Sequence, residues 1–279
     1  MTTSARAHPT AVIEKGAEIG ANCEIGPFAY VAAKARLGDG CRLGPHACVL
    51  DHATLGARCT LHAGAVIGDL PQDLSFGGWD SYVEIGDDCT FREGATVHRG
   101  TDEGTTTRIG NHVYMMAYSH FAHNTVVGDH VIAANCALVA GHVHVGEHTF
   151  LGGGCAIHQH VHLGRYVMIS GVLGVVKDVP SFCSTSVMTL GGVIAGLNIV
   201  GLRRGGFTAA QRAEIKKVYN IVFRSGLNVH QAADRLRADM PDSPFAAEYL
   251  AFIADSKRGL GSEARRHATA VAAPAPADA

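Results

Sequence analysis

Apolar residues recur at every sixth position over most of this chain. The series occupies positions 13–67, 85–97 and 109–175 without a break inside each stretch. Glycine often follows the apolar residue directly, and a small residue such as alanine or cysteine often stands four positions after it. This is the hexapeptide signature of a parallel β-helix, in which three hexapeptides form one triangular coil. The pattern therefore predicts a mainly β fold of about nine stacked coils.

The six-residue period is interrupted at two places. Asp73 and Trp79 break it in the first interruption, and Glu103 breaks it in the second. Both segments are polar and rich in glycine, aspartate or threonine, so we predict projecting loops near 69–82 and 100–107. Long loops on a rigid scaffold often carry function.

Helix signals replace the repeat near the end of the chain. Three helix starts are predicted: Thr208 with Gln211, Asn228 with Gln231, and Ser243-Pro244. The second helix is expected to stop before Pro241, and the third is expected to run to about Arg258. The sequence thus divides into a β-helix over 1–206, a C-terminal α-helical domain over 207–260, and a tail over 261–279 whose Ala/Pro-rich composition predicts disorder.

Composition excludes several classes of protein. The 279 residues are 47% hydrophobic, which is enough for a folded core, and the net charge of -2 argues against nucleic acid or a membrane surface as partner. No apolar run approaches the roughly 18 residues of a membrane span, so no membrane insertion is expected. Residues 1–9 lack the apolar segment of a secretory signal. We therefore predict a cytoplasmic protein with reduced cysteines.

The repeat sorts the 17 histidines by their position around the coil. Residues about 18 apart should stack on each other, and neighbouring columns share one side of the triangle. By this count one side carries a cluster on three successive coils: His120, His123, His142 and His158. Gly141 should lie directly above His123. The cluster could perform acid–base chemistry, hold a metal through neutral imidazoles, or have no chemical role.

Other histidines and the cysteines fit structural roles. Three histidines lie 18 residues apart at a turn position of the repeat, which predicts that they stack as a solvent-exposed ladder: His112, His130 and His148. The small-residue position predicts buried packing for Cys23, Cys41, Cys59, Cys89 and Cys155. His98 falls in a column on another side of the triangle from the cluster, although that count crosses a predicted loop.

Several motifs together resemble the UDP-N-acetylglucosamine O-acyltransferase family of lipid A biosynthesis, from His8 to Leu260. The matching segments are Gln72-Asp73-Leu74, Thr96-Val97-His98-Arg99-Gly100, His120-Phe121-Ala122-His123, Ala140-Gly141-His142-Val143, Ile157-His158-Gln159, Asp178-Val179-Pro180, Gly201-Leu202-Arg203-Arg204 and Arg224-Ser225-Gly226. The resemblance implies a left-handed β-helix in a homotrimer, with active sites between neighbouring subunits. It also implies transfer of an acyl chain, typically (R)-3-hydroxyacyl, from acyl carrier protein to the glucosamine 3-hydroxyl of the UDP-sugar.

The resemblance also implies roles for individual residues. His123 would be the general base, the Gly141 N–H would stabilise the oxyanion, and Asn124 could orient the base. Substrate-binding residues would be Asp73, His98, His120, His142, His158, Gln159, Asn198 and Arg204. Gly171 matches the position that helps set acyl length. No cofactor and no metal are implied.

The chain departs from the family pattern at several positions. Asn124 stands where aspartate is common, Ser75 replaces a lysine, and Val200 and Gly205 replace a glutamate and an arginine. The segment 186–192 also differs. These departures leave open a related acyltransferase that uses another sugar nucleotide, such as a 3-amino analogue, or acyl-CoA. A metal-dependent enzyme of the gamma carbonic anhydrase type and a silent scaffold are the remaining alternatives.

Overall fold

The computed structural model describes residues 5–186 and 194–263. Short strands stack into three sheets, which form the faces of a prism. The first face contains Arg6–Ala7, Glu24–Ile25, Arg42–Leu43, Thr60–Leu61, Thr90–Phe91, Tyr114–Met115, Ile132–Ala133, Phe150–Leu151, Met168–Ile169, Cys183–Thr185 and Ile194–Leu197. The second contains Val12–Ile13, Tyr30–Val31, Cys48–Val49, Val66–Asp69, Thr96–His98, His120–Phe121, Leu138–Val139, Ala156–Ile157 and Gly174–Val175. The third contains Glu18–Ile19, Arg36–Leu37, Ala53–Leu55, Tyr82–Ile85, Thr106–Ile109, Val126–Val127, His144–Val145 and His162–Leu163.

From Arg6–Ala7 to Cys183–Thr185 the strands pair in parallel with the strand one coil away, so the predicted parallel β-helix is confirmed. Only the last strand, Ile194–Leu197, pairs antiparallel, with Cys183–Thr185, among the described residues. The pairing of Thr60 with Thr90 spans a coil that is two hexapeptides longer than a regular coil, because it contains the loop 70–81. The pairing of Thr90 with Tyr114 spans a coil one hexapeptide longer, because it contains the loop 99–105. This second loop ends earlier than predicted, because residues 106–109 pair with residues 82–85.

The interior follows the repeat. The apolar leads and the small residues four positions later point inward, and Leu43, Cys41 and Ala47 are almost wholly buried. The cysteine thiols also satisfy backbone carbonyls, because Cys41 Sγ donates to Gly56 O at 3.2 Å and other cysteines of the column do the same. All eight cysteines are free thiols. The repeat thus builds a continuous core of close-packed columns.

Four helices follow the β-helix: α1 (Ile199–Arg204), α2 (Ala209–Arg224), α3 (Val229–Asp239) and α4 (Pro244–Asp255). The three predicted helix starts are confirmed, with capping boxes at Thr208 and Asn228 and a Ser243 side-chain cap. Helix α1 was not predicted, because six residues are too few to show a helical period. The last helix ends at Asp255 rather than Arg258, since Asp178 accepts hydrogen bonds from Ser256 Oγ and Arg258 N.

The helices pack on the end of the prism. Tyr249 OH donates to Ser181 O at 2.8 Å, and Arg165 pairs with Glu248. The prediction of disorder was wrong for residues 261–263, because Gly261 N donates to Asp178 O and Glu263 accepts a hydrogen bond from Tyr219 OH. The rest of the predicted tail, 264–279, and most of the divergent segment at 186–192 lie outside the described residues. No helix among those described is long and apolar enough to cross a membrane.

Candidate active site

His123 lies at a corner of the prism, two residues after the strand His120–Phe121. The residue is 6% exposed, and the two projecting loops approach it. Asp73 of the first loop places Oδ2 at 3.7 Å from Nε2 of His123. Thr101 of the second loop donates its backbone N–H to Asn124 Oδ1 at 2.9 Å. The corner and both projecting loops therefore lie together around His123.

Asn124 contacts the other side of the imidazole. Its Oδ1 lies 3.0 Å from Nδ1 of His123, and its backbone N–H donates to Thr107 Oγ1 at 2.8 Å. Asn124 adopts φ 58°, a left-handed conformation that asparagine tolerates better than most residues. The amide oxygen can accept a hydrogen bond from Nδ1–H, and the neutral imidazole then has its unprotonated nitrogen at Nε2.

Gly141 lies directly above His123, as the column count predicted. His142 N donates to His123 O at 3.1 Å, which fixes the two turns on each other. A Cβ built on Gly141 would overlap the His123 ring. The Gly141 N–H donates to no group of the described residues, whereas its carbonyl accepts from His160 N at 3.1 Å. The glycine therefore combines close approach to the imidazole with an available backbone donor.

Ser75, which stands where the family pattern has a lysine, hydrogen-bonds to Asp73. Its backbone N–H and its hydroxyl both donate to Asp73 Oδ1, at 2.9 and 2.8 Å. The backbone hydrogen bond, followed by the hydroxyl hydrogen bond, lowers the pKa of Asp73. A charged carboxylate therefore faces the His123 Nε2 atom, on the side opposite the neutral Asn124.

His98 lies beside His120, so its predicted placement on another side of the prism was wrong. The two ring centroids are 4.8 Å apart in an edge-to-face arrangement. Thr96 pairs with His120 on the second face, and Thr96 Oγ1 shares a 2.7 Å hydrogen bond with His120 Nδ1. The loop 99–105 adds one hexapeptide to this coil. Thr96 therefore pairs with a residue 24 positions later instead of 18, and a count in steps of 18 assigns His98 to the wrong side.

Burial sets the charge state of several imidazoles. It lowers the pKa of His120 to about 4, with the neighbouring His98 and His123 adding to the shift. It also lowers the pKa of His98 and of His142. These side chains are neutral near pH 7 and can accept or donate hydrogen bonds to an uncharged ligand.

Lowered histidine pKa values predict acid sensitivity. The unfolded chain takes up these protons near pH 6.5, whereas folded His120 takes one up only near pH 4, so folding stability falls as the pH drops between the two values. We expect the Tm to fall by at least about 5 °C between pH 7.5 and pH 5. Thermal unfolding curves recorded at several pH values between these limits would measure the change in Tm.

The control for the acid sensitivity is a pair of variants. His120→Gln should reduce the pH dependence of the Tm, whereas His112→Gln, at a side chain that is 50% exposed, should leave it unchanged. A Tm that stays constant down to pH 5 would contradict the expectation.

The upper part of the predicted cluster differs from the column count. His142 contacts His123 with ring centroids 5.1 Å apart, and it stacks at 4.7 Å on His160, which was not predicted. Among the described residues His158 makes no ring contact with these imidazoles, and its Nδ1 donates to the backbone oxygen of Gln159 at 3.1 Å. The column count could have identified His160, because it stands one coil above His142.

Asn198, Arg204 and Gly171 lie away from His123. Asn198 caps α1 by accepting from Gly201 N, and its Nδ2 donates to Tyr166 O at 2.9 Å. With Arg204 it lines a cavity of about 750 Å³ between α1 and the first face. Gly171 lies at a corner where a Cβ would come within 2.9 Å of Gly153 O. One chain thus carries two separate regions of predicted substrate-binding residues.

The predicted histidine ladder is present. His112, His130 and His148 are exposed and stack at 4.7 and 4.6 Å, and Tyr166 continues the stack at 4.6 Å. His130 and His148 also line the cavity near Asn198. Over residues 5–186 and 194–263, no group of three or more histidine, cysteine or acidic side chains could hold a metal ion.

Comparisons with known proteins agree with this architecture. The sequence profile described as UDP-N-acetylglucosamine O-acyltransferase, domain 2, matches residues 178–261, and the bacterial transferase hexapeptide profile matches residues 34–69. An acyl-[acyl-carrier-protein]–UDP-N-acetylglucosamine O-acyltransferase of a Sulfurihydrogenibium species is 55% identical over 93% of this chain and 95% of its own length. The corresponding protein of Anaeromyxobacter dehalogenans is 42% identical over 91% of this chain and 98% of its own.

The chain belongs to this family. The solved UDP-N-acetylglucosamine O-acyltransferase of Moraxella catarrhalis superposes with a TM-score of 0.86 at 37% identity, covering 91% of this chain and 98% of that one. The UDP-N-acetylglucosamine acyltransferase of Campylobacter jejuni superposes with a TM-score of 0.83 at 34% identity, covering 92% and 99%. Structures of this acyltransferase family are left-handed β-helices, so the predicted handedness and helical tail are confirmed. The chain is therefore an acyltransferase rather than a carbonic anhydrase or a scaffold.

Proposed function

We propose that this acyltransferase moves an acyl chain from acyl carrier protein to the 3-hydroxyl of UDP-N-acetylglucosamine, the first step of lipid A biosynthesis. The observation that carries the proposal is the buried His123, held between the Asn124 amide oxygen and the Asp73 carboxylate under the Gly141 backbone. This site lies in a chain whose named relatives transfer acyl groups from acyl carrier protein to this sugar nucleotide.

The reaction needs a base, because a sugar hydroxyl is a weak nucleophile at neutral pH. His123 Nε2 takes the hydroxyl proton while the oxygen attacks the thioester carbonyl carbon. Negative charge develops on the carbonyl oxygen, and the Gly141 N–H stabilises it. The carbon–sulfur bond then breaks, and the imidazolium returns its proton to the leaving thiolate. No covalent enzyme intermediate is required.

Asp73 supplies the charge that Asn124 lacks. An imidazolium forms on His123 during the reaction, and a nearby carboxylate favours it. In this proposal the reacting sugar hydroxyl donates its hydrogen bond to His123 Nε2 and lies beside, not within, the 3.7 Å gap between that atom and Asp73 Oδ2. His98, His120, His142, His158 and Gln159 bind the sugar nucleotide around that gap, while Asn198 and Arg204 bind it from another subunit.

A homotrimer accounts for the two separate regions. Asn198 and Arg204 lie against the first face, whereas His123 follows the second, so a neighbouring subunit can bring one region to the other. Exposed apolar side chains near the site support this assembly, since Leu138 is stacked beside His120 and is 48% exposed. We also propose a cytoplasmic location, which the free thiols support. Gly171 is proposed to limit acyl length.

The test is an acyl-transfer assay with 3-hydroxyacyl carrier proteins of several chain lengths. Each donor is offered with UDP-N-acetylglucosamine or with its 3-amino analogue, and products are resolved by mass spectrometry. We expect ester formation with UDP-N-acetylglucosamine and a preference for one acyl length. A clear preference for the amino analogue would assign a different acceptor, and no transfer to either sugar would overturn the proposed function.

A further inference from the structure

A chain of hydrogen bonds runs from the first loop to His123 through residues outside the family motifs. Trp79 Nε1 donates to Thr101 O at 2.8 Å. Thr101 N donates to Asn124 Oδ1 at 2.9 Å, and the same oxygen lies 3.0 Å from His123 Nδ1. Trp79 is the only tryptophan of the protein. Both loops and the imidazole are therefore linked in one network.

The Thr101 N–H decides how the Asn124 amide is oriented. A backbone N–H can only donate, so the side-chain atom that it contacts must be the amide oxygen and not the NH₂ group. That oxygen can accept a second hydrogen bond, and His123 Nδ1 must then carry the proton. The free lone pair is left on Nε2, which is the atom nearest Asp73.

A flipped amide would give the opposite result. Its NH₂ group would donate to Nδ1, the proton of the neutral imidazole would move to Nε2, and Nε2 could no longer act as a base. An aspartate at this position would have no such ambiguity, because both carboxylate oxygens accept. Asparagine at position 124 therefore makes the tautomer of His123 depend on the loop that contacts it.

Trp79 holds Thr101 where this contact is made. The indole N–H fixes the Thr101 carbonyl, and Phe76 packs edge-on against the indole with ring centroids 6.1 Å apart. Gly77 allows the indole to fold over the loop, because a Cβ there would overlap the ring. The Arg99 guanidinium lies 5.5 Å from the centroid of the Phe76 ring and joins the loops a second time.

We propose that Trp79 and Thr101 are positioning residues that fix the Asn124 amide and thereby select the Nδ1-protonated tautomer of His123. The inference rests on the proposed role of His123 as general base. It assigns a function in the reaction to the first loop beyond Asp73. It also gives a reason for asparagine at position 124 to be compatible with catalysis.

The test is a double-mutant cycle on kcat/KM. Trp79→Phe keeps an aromatic ring but removes the N–H, and we expect it to lower kcat/KM about tenfold, mainly through kcat. In the Asn124→Asp background the same substitution should change kcat/KM less than about twofold, because a carboxylate accepts from Nδ1 in either orientation. Tyr82→Phe is the matched control, because it removes a hydroxyl beside the same loop but outside the network.

The possible outcomes distinguish failure of the positioning role from failure of the proposed function. Equal losses from Trp79→Phe in both backgrounds would mean that Trp79 only packs the loop, and they would overturn the positioning role while leaving the proposed function intact. Full activity of Trp79→Phe would do the same. A wild-type protein without acyl transfer would overturn the proposed function and this role with it. Tm values of all variants check that each one is folded.

Discussion

Replacement of His123 by alanine is expected to lower the rate of acyl transfer about 10³-fold, because the sugar hydroxyl then has no positioned base. The imidazole is buried, its Nδ1 faces an amide oxygen, and its Nε2 faces a carboxylate across a gap. No other described side chain combines these contacts. Single-turnover assays with the preferred acyl carrier protein would measure the loss in the rate of the chemical step independently of product release.

The fold should survive this substitution, because the core of the prism is formed by the apolar leads and not by His123. We expect wild-type and His123→Ala proteins to have the same mass in solution, that of three chains, and closely similar Tm values. His112→Ala is the matched control, since it removes an exposed imidazole of the ladder and should keep full activity. Near-normal turnover in His123→Ala would refute the mechanism.

The strict period of six explains why much of the fold could be predicted. A side chain such as Cys41 or Ala47 has one possible place once the coil length is known, so burial and stacking follow by counting. The same count placed Gly141 above His123, because no insertion lies between them. A β-helix is unusually predictable from sequence, since most of its long-range contacts join residues one coil apart and so recur at the same sequence separation.

The errors occurred where the period fails. The loop 99–105 added one hexapeptide and moved His98 next to His120, which a fixed coil length could not anticipate. Helix α1 is too short to show a period of its own. The ordered residues 261–263 depend on partners far away in sequence, such as Asp178, and composition contains no signal for such contacts.

The hydrogen-bond network of Trp79 and Thr101 shows the same limit at the site. Neither residue stands in a repeat, and each contact depends on how two irregular loops meet. The sequence could only mark both loops as interruptions. The resemblance identified His123, Gly141 and Asn124, but the orientation of the Asn124 amide follows from the three-dimensional contacts alone.

Gly141→Ala tests the contact between the glycine and the base. The new Cβ would overlap the His123 ring, so the imidazole has to move although the position 141 N–H is retained. We expect kcat to fall at least about 100-fold, because small displacements of a catalytic group have effects of this size. The Tm should also fall, since overpacking costs about 1–3 kcal/mol.

Removal of the imidazole should relieve the overlap. We therefore expect the His123→Ala/Gly141→Ala double variant to have the Tm of His123→Ala and no further loss of activity, which is a strong coupling between neighbours. Gly174→Ala is the matched control, because nothing lies within 4 Å of a Cβ at that glycine. Gly141→Ala could instead lower the Tm equally with and without His123. The alanine would then act on the backbone of the turn, and the contact between Gly141 and the imidazole would not determine the position of the base.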